Sequence, residues 1–447
     1  MDKMLKEVLE KITPTEEEHA TEHGIVSEVK KRIEKLGGKP MLVGSMAKDT
    51  DIRGSKDIDV FILFHRDVCR EELERKGLEI GKKVFSDMKL KTEIDYAEHP
   101  YVKGRYKNYV IEIVPCYDTK EIKSAVDRTP YHTDYVKKKI SAKPGMKGEI
   151  RLLKQFMKAA GVYGAEAKIE GFSGYLTELL IINYGSFADA VKAMSEWKFG
   201  EAIDPEKLWG DSQSLKHIFT NADLIIVDPV DMNRNAAAAV SKQRLAELIV
   251  ACREFNEKPG IEYFFPKETK PLNQNELIKR MKKRGTKIVA LKLNHGLINE
   301  NTLHSQLRKT VASLKAGIEH EEFKVMKTGY WTDELKESII LLELESWNLP
   351  KIKKRTGPPV DKALPEQKKF LEKYRKHTPY IEENHWTADV PRTYPEIGDL
   401  MPQIVKEKKG FGKNLLNAKI KILEDKQILT NKNTEYRKYL SKYFTPI

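Results

Sequence analysis

The sequence predicts an α+β chain of three consecutive parts: a mixed head over 1–145, a mainly helical middle over 146–257, and an α+β body over 258–447 ending in a basic tail. Three observations carry this. Short apolar runs of strand type alternate with helical-period segments through the first third. Residues 149–198 read as helical, including the apolar stretch from Leu176 to Ile182. Clusters of Pro and Gly mark both borders, at Pro144-Gly145-Met146-Lys147-Gly148 and Lys258-Pro259-Gly260. A chain of 447 residues is also too long for one ordinary core.

In chain order, Leu5, Val8, Leu9 and Ile12, then Ile25, Val29, Ile33 and Leu36, stand at helical spacing. Residues 1–36 therefore read as helix, interrupted at Thr13-Pro14-Thr15 and at Gly24. Gly37-Gly38-Lys39-Pro40 is a turn, and Met41-Leu42-Val43 is a short strand running into Gly44-Ser45. Residues 57–64 and 110–115 read as strands and 71–90 as helix. In the middle part, 223–230 is a strand ending at Pro, and 241–256 is a helix with Leu245, Leu248, Ile249, Cys252 and Phe255 on one face. In the body, strands at 287–293 and 337–345 flank a helix over 302–321. The last ninety residues are basic, punctuated by Pro and partly helical.

Composition narrows the class of function. No apolar run is long enough to span a membrane, and the charge-alternating start Met1-Asp2-Lys3-Met4-Leu5-Lys6-Glu7 has no signal-peptide core. Cys69, Cys116 and Cys252 make neither a disulfide framework nor zinc spacing, which fits a reducing cytoplasm. The net charge is +13 and unevenly placed: from Lys351 onward there are 22 Lys and Arg against 12 Asp and Glu, while the first 350 residues hold 58 against 55. Tyr374, Tyr380, Trp386, Tyr394, Tyr436, Tyr439 and Tyr443 lie among those charges, a pattern suited to a phosphate backbone. An ordinary lysine-rich surface has the same composition.

The chemistry-bearing residues lie in the head. Asp57 and Asp59 stand two apart on a predicted strand, so both carboxylates point to one face while Ile58, Val60 and Ile62 point to the other. Paired carboxylates attract a hard cation such as Mg²⁺. Gly44-Ser45, after a strand, offers backbone N–H groups and a hydroxyl to a triphosphate. Asp-x-Asp alone is common by chance. Glu112, inside the apolar run 110–115, adds a third carboxylate that needs a cation or a proton. A plainer placing puts it on the solvent side of an edge strand or beside an Arg. His19 and His23 share a helix face, with Glu16 or Glu22 as a possible third metal ligand; a solvated acidic helix is the reading preferred for them.

The order Gly44-Ser45, Asp57-x-Asp59, Glu112 resembles the polymerase-β-like nucleotidyltransferase superfamily. Longer stretches are similar to its archaeal-type (class I) CCA-adding branch: 97–101, Val114-Pro115-Cys116-Tyr117, 122–132, Arg151-Leu152-Leu153-Lys154, Tyr163-Gly164-Ala165-Glu166, Gly171-Phe172-Ser173-Gly174-Tyr175-Leu176, Val227-Asp228-Pro229-Val230-Asp231 with Arg234-Asn235, and Gly412-Lys413-Asn414. The likeness is dense to residue 260 and sparser beyond. The Gly-Gly-x-x-Arg-Asp opening of the class II type is absent. The resemblance implies template-independent addition of C, C and A to the 3′ end of tRNA from CTP and ATP. It implies that Asp57, Asp59 and Glu112 bind two Mg²⁺ ions, and that Ser45 and Lys48 hold the triphosphate. His132, Lys154 and Tyr163 would contact CTP or ATP, and Arg234 would read a base edge or meet an RNA phosphate. It implies grip on the acceptor stem and TΨC arm by the C-terminal half, and a homodimer. Position 48 is Lys where a familiar member has Arg, and position 112 is Glu where it has Asp. Taken singly, these residues have plainer roles: Lys154 a solvated helix residue, Tyr163 a core aromatic, His132 a cap, Arg234 a partner of Asp231. The rival functions are an oligo(A) or poly(A) polymerase of the same superfamily and a non-catalytic tRNA-binding protein.

Overall fold

The helical and strand patterns resolve, in a computed structural model, into two units, Met1–Lys267 and Glu268–Ile447. The structure describes residues 1–96, 99–119, 126–210, 212–267 and 270–444, so parts of the motifs at 97–101 and 122–132 lie outside the described residues.

The first unit opens with helices α1 (Asp2–Ile12) and α2 (Glu16–Lys35). Thr15 separates them by a reciprocal cap: its side chain accepts from the Glu18 N–H, and its own N–H donates to the Glu18 carboxylate. Gly24 does not break α2, since one helical glycine costs only about 1 kcal/mol against alanine. Next come β1 (Lys39–Leu42), α3 (Gly44–Lys48), β2 (Asp57–His65), α4 (Arg70–Asp87), β3 (Thr92–Tyr96), β4 (Pro100–Tyr106), β5 (Tyr109–Asp118) and α5 (Arg128–Ala142). The five strands form one sheet in the order β1-β2-β5-β4-β3, with β2 and β5 parallel. Ile58, Val60, Ile62, Ile111 and Ile113 point to one face of the sheet and bury against Ile25, Val29 and Ile33 of α2 and Val84 and Phe85 of α4. The period of two then sends Asp57, Asp59 and Glu112 to the opposite face.

The chain continues through α6 (Met146–Ala159), α7 (Gly174–Tyr184), α8 (Phe187–Ser195), β6 (Glu201–Ile203), α9 (Ser212–Ile218), β7 (Leu224–Asp228), β8 (Asp231–Asn235) and α10 (Lys242–Glu257). The stretch read as helical over 149–198 is thus three helices with a non-helical segment at 160–173. There the backbone folds on itself, Gly164 N–H donating to Phe172 O and Phe172 N–H to Val162 O. Val8 and Ile12 of α1 bury in the same core as Ile150, Leu153, Phe156 and Leu179. The border near 145 is therefore a change of local pattern and not a gap between cores.

The second unit holds α11 (Gln274–Arg284), β9 (Lys287–Asn294), α12 (Glu300–His320), β10 (Lys324–Thr332), β11 (Glu337–Ser346), β12 (Ile352–Pro359), α13 (Leu364–Lys373), β13 (Tyr380–Glu382), β14 (His385–Pro391), α14 (Ile397–Glu407), β15 (Lys419–Glu424) and α15 (Thr434–Tyr443). An antiparallel sheet β10-β11-β9-β15 is covered on one face by Leu303, Leu307 and Leu314 of α12 with Leu400 and Met401 of α14, and on the other by Tyr436, Leu440 and Tyr443 of α15. Not all of the aromatics among the tail's charges are free to face a phosphate backbone. Tyr436 and Tyr443 are core residues, and β15 is hydrogen-bonded to the central strand β9. The exposed cations Lys351, Lys354 and Arg355 lie on or beside β12 of the smaller β12-β14-β13 sheet. Among the described residues no helix is long and apolar enough to cross a membrane.

Candidate active site

Parallel pairing of β2 with β5 sets Asp59 directly opposite Glu112, and Asp57 one step back along the same face. The turn from β1 into α3 closes over them. Gly44 has φ +73°, a conformation that favours glycine, and a Cβ there would collide with the Asp59 carboxylate. Ser45 follows in the first turn of α3. Burial, then the charges of Glu112 and Asp57, push the Asp59 carboxyl up to about 7 against the pull of Lys48 and Lys103. Lys103, on β4 and in register with Glu112, holds that carboxylate at 3.0 Å. Glu112 is therefore paired and partly open, not the isolated buried carboxylate its apolar flanks suggest. Lys103 is paired with Glu112 and Lys48 is shared with Glu178, so the three carboxylates leave this end of the sheet short of positive charge. Their ligand atoms do not all lie within 4.8 Å of one another, so as placed they do not form a tight one-ion cluster. An all-carboxylate donor set of this kind fits hard divalent cations.

Beside the acidic patch lies a compensated one. Lys48 and Lys154 are 8% and 2% exposed, and both converge on Glu178 of α7, which is fully buried. Lys48 Nζ is 2.6 Å from Oε2, and Lys154 Nζ is 3.0 Å from Oε1. Thr50 Oγ1 donates to Oε1 at 2.7 Å, and Lys154 donates to the Thr50 carbonyl. Burial alone would raise Glu178, but the two lysines overcome it and hold the carboxyl down at about 2. Lys154 is thus no solvated helix residue. The Tyr163 hydroxyl lies near this group: a Cβ on Gly174 would stand 3.0 Å from it and 4.0 Å from Lys154 Nζ. Burial first, then the Glu178, Glu166 and Asp57 charges, raise the Tyr163 pKa, so the hydroxyl stays a proton donor.

The third cluster centres on Asp228, also fully buried, at the end of β7. Its Oδ2 accepts from Arg234 Nη1 at 2.7 Å and lies 2.8 Å from His132 Nε2; its Oδ1 accepts from the Tyr175 hydroxyl at 2.8 Å and from the Val230 N–H. Burial works against the charge, but these donors hold Asp228 at about 2. Burial lowers the His132 pKa, so a neutral ring with its proton on Nε2 donates to the carboxylate. The ring stacks on Tyr175 at 3.7 Å between centroids. Arg234 is therefore not the partner of Asp231, as the sequence allowed: Asp231 is taken by Arg128 at 2.8 Å. His132 caps no helix end either, since it lies inside α5.

Asp228, Tyr175 and Arg128 lie in the family-like stretches but the sequence assigned them no role, and it left Glu178 and Lys103 out altogether. A signal existed for two of them. Glu178 interrupts the apolar run 176–182, and Asp228 closes the apolar strand 224–227, so each is a carboxylate where water is scarce. Lys103 was hidden because β3 and β4 carry no clear alternation, and Arg128 because α5 was not anticipated.

Comparison with known proteins gives three consecutive family matches. A nucleotidyltransferase domain matches residues 24–132, the second domain of tRNA nucleotidyltransferase matches 148–265, and the C-terminal domain of the CCA-adding enzyme matches 284–429. The chain is similar to the CCA-adding enzyme of Methanosarcina acetivorans, 38% identical over 452 residues, covering 98% of this chain and 97% of that protein. It is 38% identical to that of Archaeoglobus fulgidus over 403 residues, covering 89% and 88%. Among solved structures, the Cid1 poly(U) polymerase aligns with a TM-score of 0.49 at 12% identity, over 59% of this chain and 97% of that one.

Proposed function

The chain belongs to the archaeal-type CCA-adding enzyme family, and from that premise we propose that it adds C, C and A in order to the 3′ end of tRNA from CTP and ATP, without a template, releasing pyrophosphate. The observation that carries the assignment of the site is the register that sets Asp59 opposite Glu112, with Asp57 on the same face under the Gly44-Ser45 turn. In this reading Asp57, Asp59 and Glu112 hold two Mg²⁺ ions. When bound, such ions lower the pKa of an attacking hydroxyl and screen the triphosphate.

The remaining roles belong to the chain's own groups. Ser45 and the first backbone N–H groups of α3 face the phosphates. Lys48 and Lys154 share one carboxylate, so their cluster carries a formal charge of +1 and forms a positive wall beside the acidic patch. Its pull on a triphosphate acts over a distance through a region of low water content. Tyr163 offers a hydrogen-bond donor to sugar or phosphate oxygens, and neutral His132, its Nε2 proton taken by Asp228, offers Nδ1 as an acceptor to a sugar hydroxyl or a base N–H. Arg234, held by Asp228, presents its other guanidinium nitrogens to a base edge. Exposed cations of the second unit meet the acceptor stem and TΨC arm by shape and phosphate charge, since the edges of an A-form helix are poorly readable. The family resemblance also implies a homodimer, which sedimentation of the purified chain tests.

The deciding assay gives the protein tRNA lacking its terminal CCA, with Mg²⁺ and labelled CTP or ATP, singly and together. Two C additions followed by one A are expected. Unlimited A addition indicates a poly(A)-type polymerase, and no addition indicates a binding protein.

A further inference from the structure

Among the described residues two groups of metal-type donors lie outside the site, Glu300-His304-Glu334 in the second unit and, more deeply buried, His19-Glu22-Asp51 in the first. His19 and Glu22 stand a turn apart on α2, and Asp51 lies in the loop between α3 and β2. Their ligand atoms all lie within 4.8 Å of one another. Glu22 and Asp51 are each only 3% exposed, so Glu22 stands apart from the solvated acidic side of α2 that carries Glu16, Glu17 and His23. Glu22 Oε2 and Asp51 Oδ1 have no hydrogen-bond partner among the described residues. Their ionic contacts are long: 3.8 Å from Glu22 to His19 Nδ1, and 4.0 Å from Asp51 Oδ1 to Arg151 Nη2. Arg151 is engaged elsewhere, its Nη2 with Asp49 and its Nε with the Asp51 carbonyl. Two buried carboxylate oxygens without a donor are costly unless a cation or a proton sits between them.

We propose that His19, Glu22 and Asp51 form a structural site for a divalent ion of the zinc class, separate from Asp57, Asp59 and Glu112. One imidazole and two carboxylates, with a fourth position for water, is a donor set that Zn²⁺ accepts. Mg²⁺ and Ca²⁺ favour oxygen alone. Bonds of about 2.0–2.2 Å bring tetrahedral donors within about 3.5 Å of one another, so the ring must close inward by roughly an ångström. The His19 side chain is 31% exposed and free to do so; its Nε2 now lies 3.9 Å from Asp49 Oδ1. His23 is not part of the group, its ring lying 6.3 Å from that of His19.

The position of the site gives it a use. Asp51 follows Thr50, whose hydroxyl and carbonyl bind Glu178 and Lys154, and Asp49 before it binds Lys147 and Arg151 of α6. An ion joining α2 to Asp51 fixes the turn that carries Thr50. The residues act by positioning and touch no substrate. In the metal-free state, burial and the Asp51 charge raise the Glu22 pKa, so a proton is the competing occupant.

The test uses the full chain, stripped with a chelator and returned to millimolar Mg²⁺, which occupies the catalytic carboxylates. Zn²⁺ is titrated by calorimetry, and Co²⁺ by its visible absorption. One equivalent should bind and raise the melting temperature. His19→Ala and Asp51→Asn should each weaken binding by about a hundredfold or more, since even an outer-shell change costs 10–100-fold. Asp59→Ala should leave it unchanged. Circular dichroism checks folding, and His19→Ala, at the exposed ligand, decides if Asp51→Asn fails to fold. The proposal is overturned if zinc does not bind over Mg²⁺, if His19→Ala binds as wild type does, or if Asp59→Ala abolishes binding. It is also overturned if Glu22→Gln stabilises the protein while zinc has no effect on wild type, the result expected of a carboxylate pair sharing a proton.

Discussion

Asp59 and Glu178 are carboxylates of one unit, the first half-buried and the second fully buried, yet they are driven in opposite directions. Asp59 rises to about 7 because, beyond burial, its neighbours are Glu112 and Asp57. Glu178 falls to about 2 because its neighbours are Lys154 and Lys48, which outweigh a burial that acts the other way. Asp228 repeats the second case through hydrogen bonds from His132 and the Val230 N–H and the charge of Arg234. Burial sets the stakes, and the sign of the surrounding charge sets the outcome. The acidic patch therefore lacks full counter-charge within the chain, whereas the Glu178 and Asp228 clusters find theirs there. In the proposed reading the first is the reaction centre and the others the frame around it.

The sharpest way to break this contrast is to remove charge from the incomplete patch. Asp57→Ala and Asp59→Ala should each abolish C and A addition, a loss of several decades, with tRNA affinity nearly intact. Filter binding and labelled-nucleotide incorporation on the same preparations separate the two effects. Incorporation above a few per cent of wild type takes these residues out of the metal site.

The same removal in a complete cluster should cost stability. Glu178→Gln leaves Lys48 and Lys154 buried and short of their counter-charge, so denaturant unfolding should show a loss of about 3–5 kcal/mol. The folded pKa of about 2 lies below the unfolded carboxylate value of about 4.3. The ionised group thus stabilises the fold fully above that unfolded value, and its contribution fades as pH falls toward 2. The gap between wild type and variant should narrow over that window. A constant gap means that the glutamate contributes shape rather than charge.

Arg234 tests the part of the frame that the proposed reading sets beside the nucleotide. Arg234→Ala should loosen the preference for CTP and ATP over UTP and GTP by about 1–3 kcal/mol. Asp228→Asn, which releases the guanidinium, should loosen it in the same sense. Rates with all four triphosphates on tRNA ending before each added position measure this. Unchanged selectivity in a folded Arg234→Ala protein makes the residue structural.

The smallest effect per residue is expected in the second unit. Deleting everything after Pro350 is no clean test, because it removes β15 from its sheet and Tyr436 from its core. Lys368→Gln, Lys369→Gln and Arg375→Gln change exposed positions instead. If each meets a phosphate, the salt slope of tRNA binding should fall by about 0.7–0.9 per residue, with the transfer rate at saturating tRNA unchanged. An unaltered slope moves the RNA contact to another surface.

Much of this was legible in the sequence, for identifiable reasons. The period of two in Asp57-Ile58-Asp59-Val60 and in Ile111-Glu112-Ile113 placed three carboxylates on one face, because the alternate residues are apolar enough to fix which side is buried. The strands β3 and β8 were not legible: Thr92-Glu93-Ile94-Asp95-Tyr96 and Asp231-Met232-Asn233-Arg234-Asn235 are mostly polar, and pairing partners make them strands. Nor were the partners of each cation. Lys48 with Glu178, and Arg128 with Asp231, are joined over 130 and 103 positions of chain. Local pattern carries no information about such pairs. The same limit put α1 with the head and made the C-terminal tyrosines look like an RNA surface. An amphipathic stripe shows that a residue is buried, and not against what.

The central claim, that Asp57, Asp59 and Glu112 act together as a metal-holding centre, is tested most directly at Glu112. Single-turnover transfer from CTP to tRNA lacking CCA is measured for Glu112→Gln and Glu112→Asp beside wild type, with CTP affinity measured separately. Glu112→Gln keeps the size of the side chain and removes its charge, and Lys103, now 3.0 Å from that carboxylate, loses its partner. Transfer should fall by several decades in Glu112→Gln while CTP affinity changes little, and Glu112→Asp should keep substantial activity. A Glu112→Gln enzyme that transfers CMP at a near-normal rate contradicts the account, and places the third carboxylate elsewhere.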